Sequence, residues 1–490
     1  MKQLFNPYAI LGVPVDALNT DIDAAYERLK QMLAPSVKNK KPGALAQAEQ
    51  IEEAHRLLQS MSRRGEFDRL NKSKGTDAYF TTRLTPSKRV AEKLGEAQVV
   101  YLLVDIIPKV HSGETPTRRD AGLNLTLVLD HSNSMNGVRL NKVKVAATEI
   151  IEQLGPNDIL SVVTFNDRAE VVIPATPVKE KNVLMSRTRM MRAMGGTELY
   201  QGLKAGIAEN RKNVRPDRVN HVIVLTDGNT YGDQDKCLAL ARQVSNEGIS
   251  ISTLGLGSEW NDDFLDEIAS STGGSSGFIK SANAVVSFLN SQVQSLSNIY
   301  TERVQLSVAP AADIDVEMAF KLAPSPQPLP AEDNVIHLGG MQFDRPISVL
   351  LQLQIPANPK IGAKPLVRTV VSGNVMVNSR IHTEVRDIAI EIADSPAYED
   401  PPNRILDALG KLTLYRMQER ANEAIEQGNV RQATTRLQNL ATRLLESGHD
   451  ELAEEAFQEV KRLEQTHSLS EAGRKNLKYQ TRLLIAGDEG

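Results

Sequence analysis

Residues 123–135 read LNLTLVLDHSNSM and decide how the middle of this 490-residue chain folds. An apolar run of strand length ends at Asp130 and is followed at once by small polar residues, which is typical of a strand entering a loop. Further apolar runs follow at 159–166, 219–227 and 249–257, and stretches with helical spacing separate them. This alternation predicts a Rossmann-like α/β unit, in which helices cover both faces of a doubly wound, mostly parallel sheet.

The segments on either side of the α/β unit predict a β-sandwich. Residues 76–118 contain the strand-like run AQVVYLLVDIIP, and residues 300–395 contain several such runs without a convincing helix. We expect these two segments to pair in one sandwich, with the α/β unit at 119–299 inserted between them. Four prolines within 323–331 (APSPQPLPA) predict an exposed polyproline-like spacer between strands.

Both ends of the chain are predicted to be helical, which makes the protein a multidomain α/β chain. Residues 1–75 carry apolar side chains at helical spacing in two stretches. Residues 396–490 contain three clear helical segments that end near glycine or polar turns, and they predict a small antiparallel bundle.

Composition excludes several classes of protein. Fifty-seven basic residues against 61 acidic ones leave a net charge of −4, so no general basic field for nucleic acid is expected. The single cysteine, Cys237, excludes a disulfide framework and a cysteine-rich zinc site. The longest apolar runs fall far short of the roughly 20 residues that span a bilayer. With no signal peptide recognisable at the N-terminus, a cytoplasmic location is expected.

Oxygen-bearing side chains follow the predicted strands at three places. Asp130, Ser132 and Ser134 form D-x-S-x-S, Thr197 lies in MGGTEL, and Asp227 follows the strand VIVLT. Open α/β sheets bind ligands at the carboxyl ends of their strands. Five hard oxygen donors with only two carboxylates suit Mg²⁺, with Mn²⁺ or Ca²⁺ as alternatives. Such a cation keeps enough charge to attract a carboxylate from outside.

This set resembles the metal-ion-dependent adhesion site of von Willebrand factor A domains, and the resemblance covers roughly residues 119 to 298. It implies that Ser132, Ser134 and Thr197 bind the metal directly, while Asp130 and Asp227 bind it directly or through water. Bacterial intracellular members of this group are the most similar type. The resemblance implies a protein-binding role.

The first 70 residues resemble a J-domain through NPYAILGV, AAYERLKQMLAPS and EEAHRLLQSMSRRGEFDRL. A J-domain stimulates its heat-shock partner through a His-Pro-Asp tripeptide, and residues 34–36 read Ala-Pro-Ser in that place. The resemblance therefore implies a J-like fold without co-chaperone activity, used for docking.

Other polar residues near the motifs have simpler interpretations. His131 points away from the metal by strand alternation, and His221 is expected to be a satisfied core histidine. Glu198 is expected either to tune the site or to be solvated. Asp233 and Asp235 are expected to cap a helix.

The leading hypothesis is a non-enzymatic scaffold that captures an acidic residue of a partner protein through Mg²⁺, with self-association left open. The alternative is a regulatory subunit of a chelatase-type AAA+ ATPase or of a bacterial kinase and phosphatase system. A metal-dependent hydrolase is the third hypothesis, but the sequence shows no nucleophile paired with a base.

Overall fold

The computed structural model describes residues 7–13, 17, 19–38, 44–60, 64, 79–109, 122–230, 232–311, 313–330, 335–376 and 380–486. The helices are α1 (Pro7–Leu11), α2 (Asn19–Lys38), α3 (Ala44–Gln59), α4 (Val138–Gln153), α5 (Lys181–Arg189), α6 (Leu199–Arg211), α7 (Gln234–Glu247), α8 (Asp262–Thr272), α9 (Val285–Ser297), α10 (Asn403–Glu426), α11 (Val430–Glu446), α12 (Asp450–Thr466) and α13 (Glu471–Ala486).

The strands are β1 (Phe80–Pro86), β2 (Val90–Glu92), β3 (Gln98–Pro108), β4 (Gly122–Asp130), β5 (Ile159–Phe165), β6 (Ala169–Pro177), β7 (Arg218–Thr226), β8 (Ser250–Leu256), β9 (Ser276–Ile279), β10 (Ile299–Pro310), β11 (Asp315–Ala323), β12 (Gln327–Leu329), β13 (Val335–Gln342), β14 (Ile347–Ile355), β15 (Gly362–Val375) and β16 (Arg380–Ala393). The predicted boundaries at 75/76 and 118/119 lie outside the described residues.

A sheet ordered β6-β5-β4-β7-β8-β9 forms the α/β unit in the part of the chain that the structure describes. Its neighbouring strands are parallel, except that β6 runs antiparallel to β5. Leu125, Leu127 and Leu129 of the central strand β4 share a core with α4 and α9, whereas Val128 packs on the opposite face with α6, α7 and α8. The predicted doubly wound α/β sheet is confirmed.

Helix α6 lies unusually close to the sheet because Gly206 has no side chain. A Cβ atom at Gly206 would come within 2.3 Å of Val128 Cγ2. Gly202, in the first turn of α6, is similarly close to the end of β5, because a Cβ atom there would lie 2.5 Å from Phe165 Cγ. The two contacts hold the start of α6 near the carboxyl ends of the strands, where the segment containing Thr197 leads into the helix.

Strands from both sides of the α/β unit form the sandwich. Among the described residues, its two sheets have the orders β1-β3-β14-β11-β12 and β13-β10-β15-β16-β2. Each sheet therefore combines strands that precede residue 119 with strands that follow residue 299, which confirms the predicted insertion. Their facing side chains, such as Leu102 and Val104 of β3 and Val304 and Leu306 of β10, form one core.

The proline-containing segment is not the exposed spacer that its composition predicted. Residues Gln327–Leu329 form the edge strand β12 and pair with β11. Gln327 and Leu329 are buried, and Gln327 Nε2 donates to the Gly274 carbonyl 2.9 Å away. A prolyl edge strand is compatible with a sheet because proline lacks only the donor on the unpaired side.

The terminal helices pack on the centre of the molecule. Helices α1 to α3 bury their own small core, and Arg28 of α2 donates to the Pro310 carbonyl of the sandwich at 2.8 Å. At the other end, α13 is a helix that the three predicted C-terminal segments did not include, and it contacts α8 of the α/β unit through Arg474 and Asp262. Within the described residues, no helix combines the length and apolar character needed to cross a bilayer.

Candidate metal centre

The carboxyl ends of β4 and β7 bring the two predicted aspartates to the same edge of the sheet. These strands are parallel neighbours, with Leu129 opposite Leu225, so that Asp130 ends one strand and Asp227 follows the other. A short 3₁₀ turn at Asn133–Met135 folds the chain back after Asp130 and precedes α4. This turn carries Ser134 toward β7.

Hydrogen bonds join the side chains of this edge. The Oγ atoms of Ser132 and Ser134 are 2.9 Å apart, and Ser134 Oγ donates to Asp227 Oδ1 at 2.7 Å. Asp130 accepts from the Ser132 backbone N–H at 2.8 Å and from Thr226 Oγ1 at 2.7 Å. Both carboxylates are buried, and burial raises the pKa of Asp130 although these hydrogen bonds oppose the shift.

Thr197 reaches the cluster through a loop that is fixed at several points. The loop's Gly195 carbonyl accepts from the Asn133 N–H at 3.1 Å, while the Met194 N–H donates to the His131 carbonyl at 2.8 Å. A Cβ atom at Gly228, the residue after Asp227, would lie 3.4 Å from Thr197 Oγ1. Thr197 is therefore adjacent to the end of β7, and the structure brings all five predicted residues together.

Two further residues of this edge were not found from the sequence. The carboxylate of Asp167, in the turn after β5, accepts from the Gly196 N–H at 3.1 Å and so supports the loop of Thr197. Arg139, in the first turn of α4, places Nη1 2.5 Å from Asp227 Oδ2. The only sequence signal for Arg139 is that it is the first basic residue after D-x-S-x-S.

The remaining candidates lie around this cluster. His131 is buried and its Nδ1 is 2.9 Å from the Arg192 carbonyl, so it contacts the supporting loop and not the hydroxyl groups. His221 is buried in the sheet beside Ser252 Oγ at 2.9 Å, and burial lowers its pKa to about 3. Glu198 is exposed at the start of α6.

Of the two aspartates expected to cap a helix, Asp235 lies in the first turn of α7, whereas Asp233 bonds to the first turn of a different helix, α6. Asp233 occupies the position before α7, but its side chain makes no capping bond there. Its carboxylate instead accepts from the Tyr200 N–H at 2.9 Å and from Thr230 Oγ1 at 2.5 Å. Asp233 therefore fixes the start of α6, two residues beyond Thr197.

The donor set fits a small, hard divalent cation. Octahedral Mg²⁺ binds oxygen at about 2.0 to 2.1 Å, which places adjacent ligand oxygens roughly 3 Å apart. The separations of 2.9 Å between Ser132 and Ser134 and 2.7 Å between Ser134 and Asp227 are close to that value. Among the described residues, no group of three or more His, Cys, Asp and Glu side chains forms an alternative metal cluster.

Three family models match the chain. Residues 6–68 match the DnaJ domain, residues 124–315 the von Willebrand factor type A domain, and residues 403–487 the Sll0103-like, C-terminal alpha-helical domain. The uncharacterized protein sll0103 of Synechocystis sp. is 36% identical over 241 residues, which cover 48% of this chain and 57% of that protein. Inter alpha-trypsin inhibitor heavy chain 4 of Mus musculus is 27% identical over 163 residues, 31% of this chain and 17% of that protein. The chain thus matches little more than half of the first relative and a sixth of the second.

Two solved structures share the fold well beyond the α/β unit. The von Willebrand factor type A protein from Catenulispora acidiphila has a TM-score of 0.67 at 15% identity, covering 84% of this chain and 98% of that one. The ArnB paralog VWA2 from Sulfolobus acidocaldarius has a TM-score of 0.51 at 15% identity, covering 84% and 99%. These similarities concern the fold alone.

Proposed function

We propose that this chain, which contains a von Willebrand factor type A domain behind a DnaJ-like domain, is a non-enzymatic scaffold that captures an acidic residue of a partner protein through Mg²⁺. Domains of this type are in general interaction modules without enzymatic activity. The observation that carries the proposal is the cluster of hydroxyl and carboxylate oxygens formed by Ser132, Ser134 and Asp227. Ser134 is exposed and Thr197 is half-buried, so another protein can reach this end of the sheet.

Each side chain of the site has a definite role in this proposal. Ser132, Ser134 and Thr197 supply neutral hydroxyl oxygens, and Asp227 supplies the carboxylate nearest to them. Asp130 and Asp227 each have both carboxylate oxygens hydrogen-bonded, and each would hold the metal directly or through water. A bound Mg²⁺ would supply an electrophilic centre for an oxygen ligand from the partner.

A bound cation would favour an anionic ligand. Asp227 is paired with the positive charge of Arg139, whereas Asp130 and Asp167 add two negative charges around the site. A divalent cation would offset these two charges and keep an electrophilic open coordination position. A partner's aspartate or glutamate would fill that position with a charged oxygen, which the cation attracts more strongly than a neutral one.

Metal binding is tested by calorimetric titration of Mg²⁺ and Mn²⁺ into the full chain. Asp227→Asn removes the carboxylate bonded to Ser134 while preserving its shape, and we expect it to weaken binding at least tenfold. Asp235→Asn is a matched control, because Asp235 is an exposed aspartate in the first turn of α7, after the same strand. Equal affinity in Asp227→Asn and the control would show that the metal assignment is wrong.

Partner capture is tested separately, by affinity isolation from native lysate with Mg²⁺ or EDTA. We expect captured proteins to be lost in EDTA and in Ser134→Ala, and retained in Asp235→Asn. Circular dichroism in EDTA should still show the folded chain, because the site lies at the edge of the sheet. If the same proteins are retained in EDTA, capture does not use the metal even when calorimetry detects it.

A further inference from the structure

We propose that Arg139 is the specificity-determining residue of this site and selects a carboxylate ligand by binding its second oxygen. This inference rests on the proposed metal-dependent capture and identifies which part of the protein recognises the partner's acid. Arg139 is held by contacts on one side, lies near the backbone of a neighbouring loop on the other, and has a guanidinium group with donors to spare.

Contacts to β7 and to the 3₁₀ turn fix one side of the guanidinium. Nη1 is 2.5 Å from Asp227 Oδ2 and 3.4 Å from the Ser134 carbonyl. Asp227 is completely buried, whereas 41% of the Arg139 side chain is exposed. The guanidinium thus covers the buried carboxylate and faces solvent with its remaining surface.

Gly257, which follows β8, limits the other side. A Cβ atom at Gly257 would lie 3.5 Å from Arg139 Nη2, and Gly257 has a φ of +74°, which other residues rarely adopt. The backbone after β8 therefore passes directly beside the guanidinium. Arg139 is therefore bonded to Asp227 and the 3₁₀ turn and lies next to the loop after β8, at the carboxyl edge of the sheet.

The unused donors of Arg139 match the free oxygen of a bound carboxylate. Guanidinium has five N–H donors in a planar fork, and the hydrogen bonds found for Arg139 in the described part of the chain use Nη1 alone. A carboxylate that gives one oxygen to the metal keeps a second oxygen in the same plane. A charged N–H donor directed at that oxygen forms a stronger bond than a neutral donor and discriminates against an amide.

The same arrangement predicts that Arg139 lowers the affinity for the metal ion and raises the affinity for the carboxylate ligand. Arg139 places a positive charge next to Asp227, so it opposes cation binding while it favours an incoming anion. Arg139→Met should therefore bind Mn²⁺ more tightly, by about threefold to tenfold, because its charge no longer opposes the cation. It should bind a carboxylate on the loaded protein at least fivefold more weakly. A residue that only supports the local structure would not shift these two affinities in opposite directions.

The test uses the full chain loaded with Mn²⁺, with acetate as the probe and acetamide as its neutral counterpart. Displacement of water by acetate is followed through the water proton relaxation rate, and Mn²⁺ affinity is measured by calorimetry. Arg139→Lys retains the charge without the planar fork and should keep the wild-type Mn²⁺ affinity with intermediate acetate affinity. Acetamide should have no effect on any variant.

The outcomes separate the two proposals. Equal acetate affinity in wild type and Arg139→Met, both loaded with Mn²⁺, would overturn the role of Arg139 and leave the metal site standing. Weaker Mn²⁺ binding in Arg139→Met would show a structural role and would also overturn it. Absence of Mn²⁺ binding in the folded wild-type chain would overturn the metal site and this inference with it.

Discussion

The substitution Asp266→Asn should loosen the C-terminal helix α13 from the α/β unit. Asp266 lies in α8 and is buried, and its carboxylate accepts from Arg482 Nη2 at 2.6 Å and from Tyr479 OH at 2.9 Å. Lys478 Nζ lies 3.1 Å from the same carboxylate. The side chains of Lys478 and Arg482 are only 2% and 4% exposed, so that Asp266 is a major compensating charge for two buried cations.

The magnitude follows from the burial of these groups. Removing one partner of a buried ion pair costs about 3 to 5 kcal/mol, because the remaining charge is left without compensation. Asp262 stays 2.6 Å from Lys478 in the variant, and asparagine keeps an acceptor for Tyr479, so we expect the lower end of this range. A loss of about 3 kcal/mol corresponds to roughly a hundredfold larger population of the undocked helix.

Hydrogen exchange of the amides in 471–486 measures this population directly. The matched control is Asp263→Asn, in the same helix, because Asp263 also lies 2.5 Å from Lys478 but is 78% exposed. An exposed pair of this kind contributes at most about 1 kcal/mol, so the control should change exchange less than tenfold. Amides of β4 and β7 should exchange as in wild type in both variants. Similar exchange of α13 in the two variants would refute the argument from burial.

Three further predictions concern pH and the N-terminal helices. Burial opposes ionisation of Asp262, but the hydrogen bond from Arg474 and nearby positive charge lower its pKa to about 2. Because this pKa lies below that of an unfolded aspartate, about 2 kcal/mol of the free energy of unfolding should be lost as pH falls from about 4 to about 2. Urea unfolding should show a smaller loss in Asp262→Asn. Burial raises the pKa of Glu302 to about 8, so stability should fall as pH rises from about 4.5 to about 8, and Glu302→Gln should abolish this fall in the same assay. With Ala-Pro-Ser at 34–36, residues 1–70 of the chain should not stimulate a heat-shock ATPase in a steady-state assay, and stimulation equal to that of an intact J-domain would contradict this.

Local sequence was sufficient for the α/β unit and for the composition of the candidate site. The run 123–129 that ends at Asp130 is long enough for one strand, and helical stretches separate it from the other strand-like runs, which predicts a covered sheet although Asn124 and Thr126 interrupt the apolar residues. Parallel strands end at a common edge, so polar residues that follow such strands converge there without knowledge of the strand order. For this reason Asp130 and Asp227 could be placed together from the sequence, whereas metal binding by them stays a prediction.

The sequence did not reveal which side chains pair across long distances. Arg139 and Asp227 are 88 residues apart, and Lys475 of α13 donates to the Ser258 carbonyl 217 residues away. A lysine in a charged helix ordinarily indicates a solvated face, yet Lys475 is 1% exposed. The spacing of apolar residues shows which face of a helix is buried. It does not show which distant carbonyl or carboxylate will lie next to a particular charged side chain.

Tertiary structure decided these pairings because the energy of a charged group depends on its burial and on the partners that packing brings to it. Asp233 shows the difference, since its position in the sequence indicates a cap for α7 while the folded chain directs its carboxylate to Tyr200 and Thr230. The sequence therefore identified the polar residues that follow the strands and lie at the site. The hydrogen bonds that orient them, and the guanidinium placed beside them, depend on loops that meet only after the whole sheet has formed.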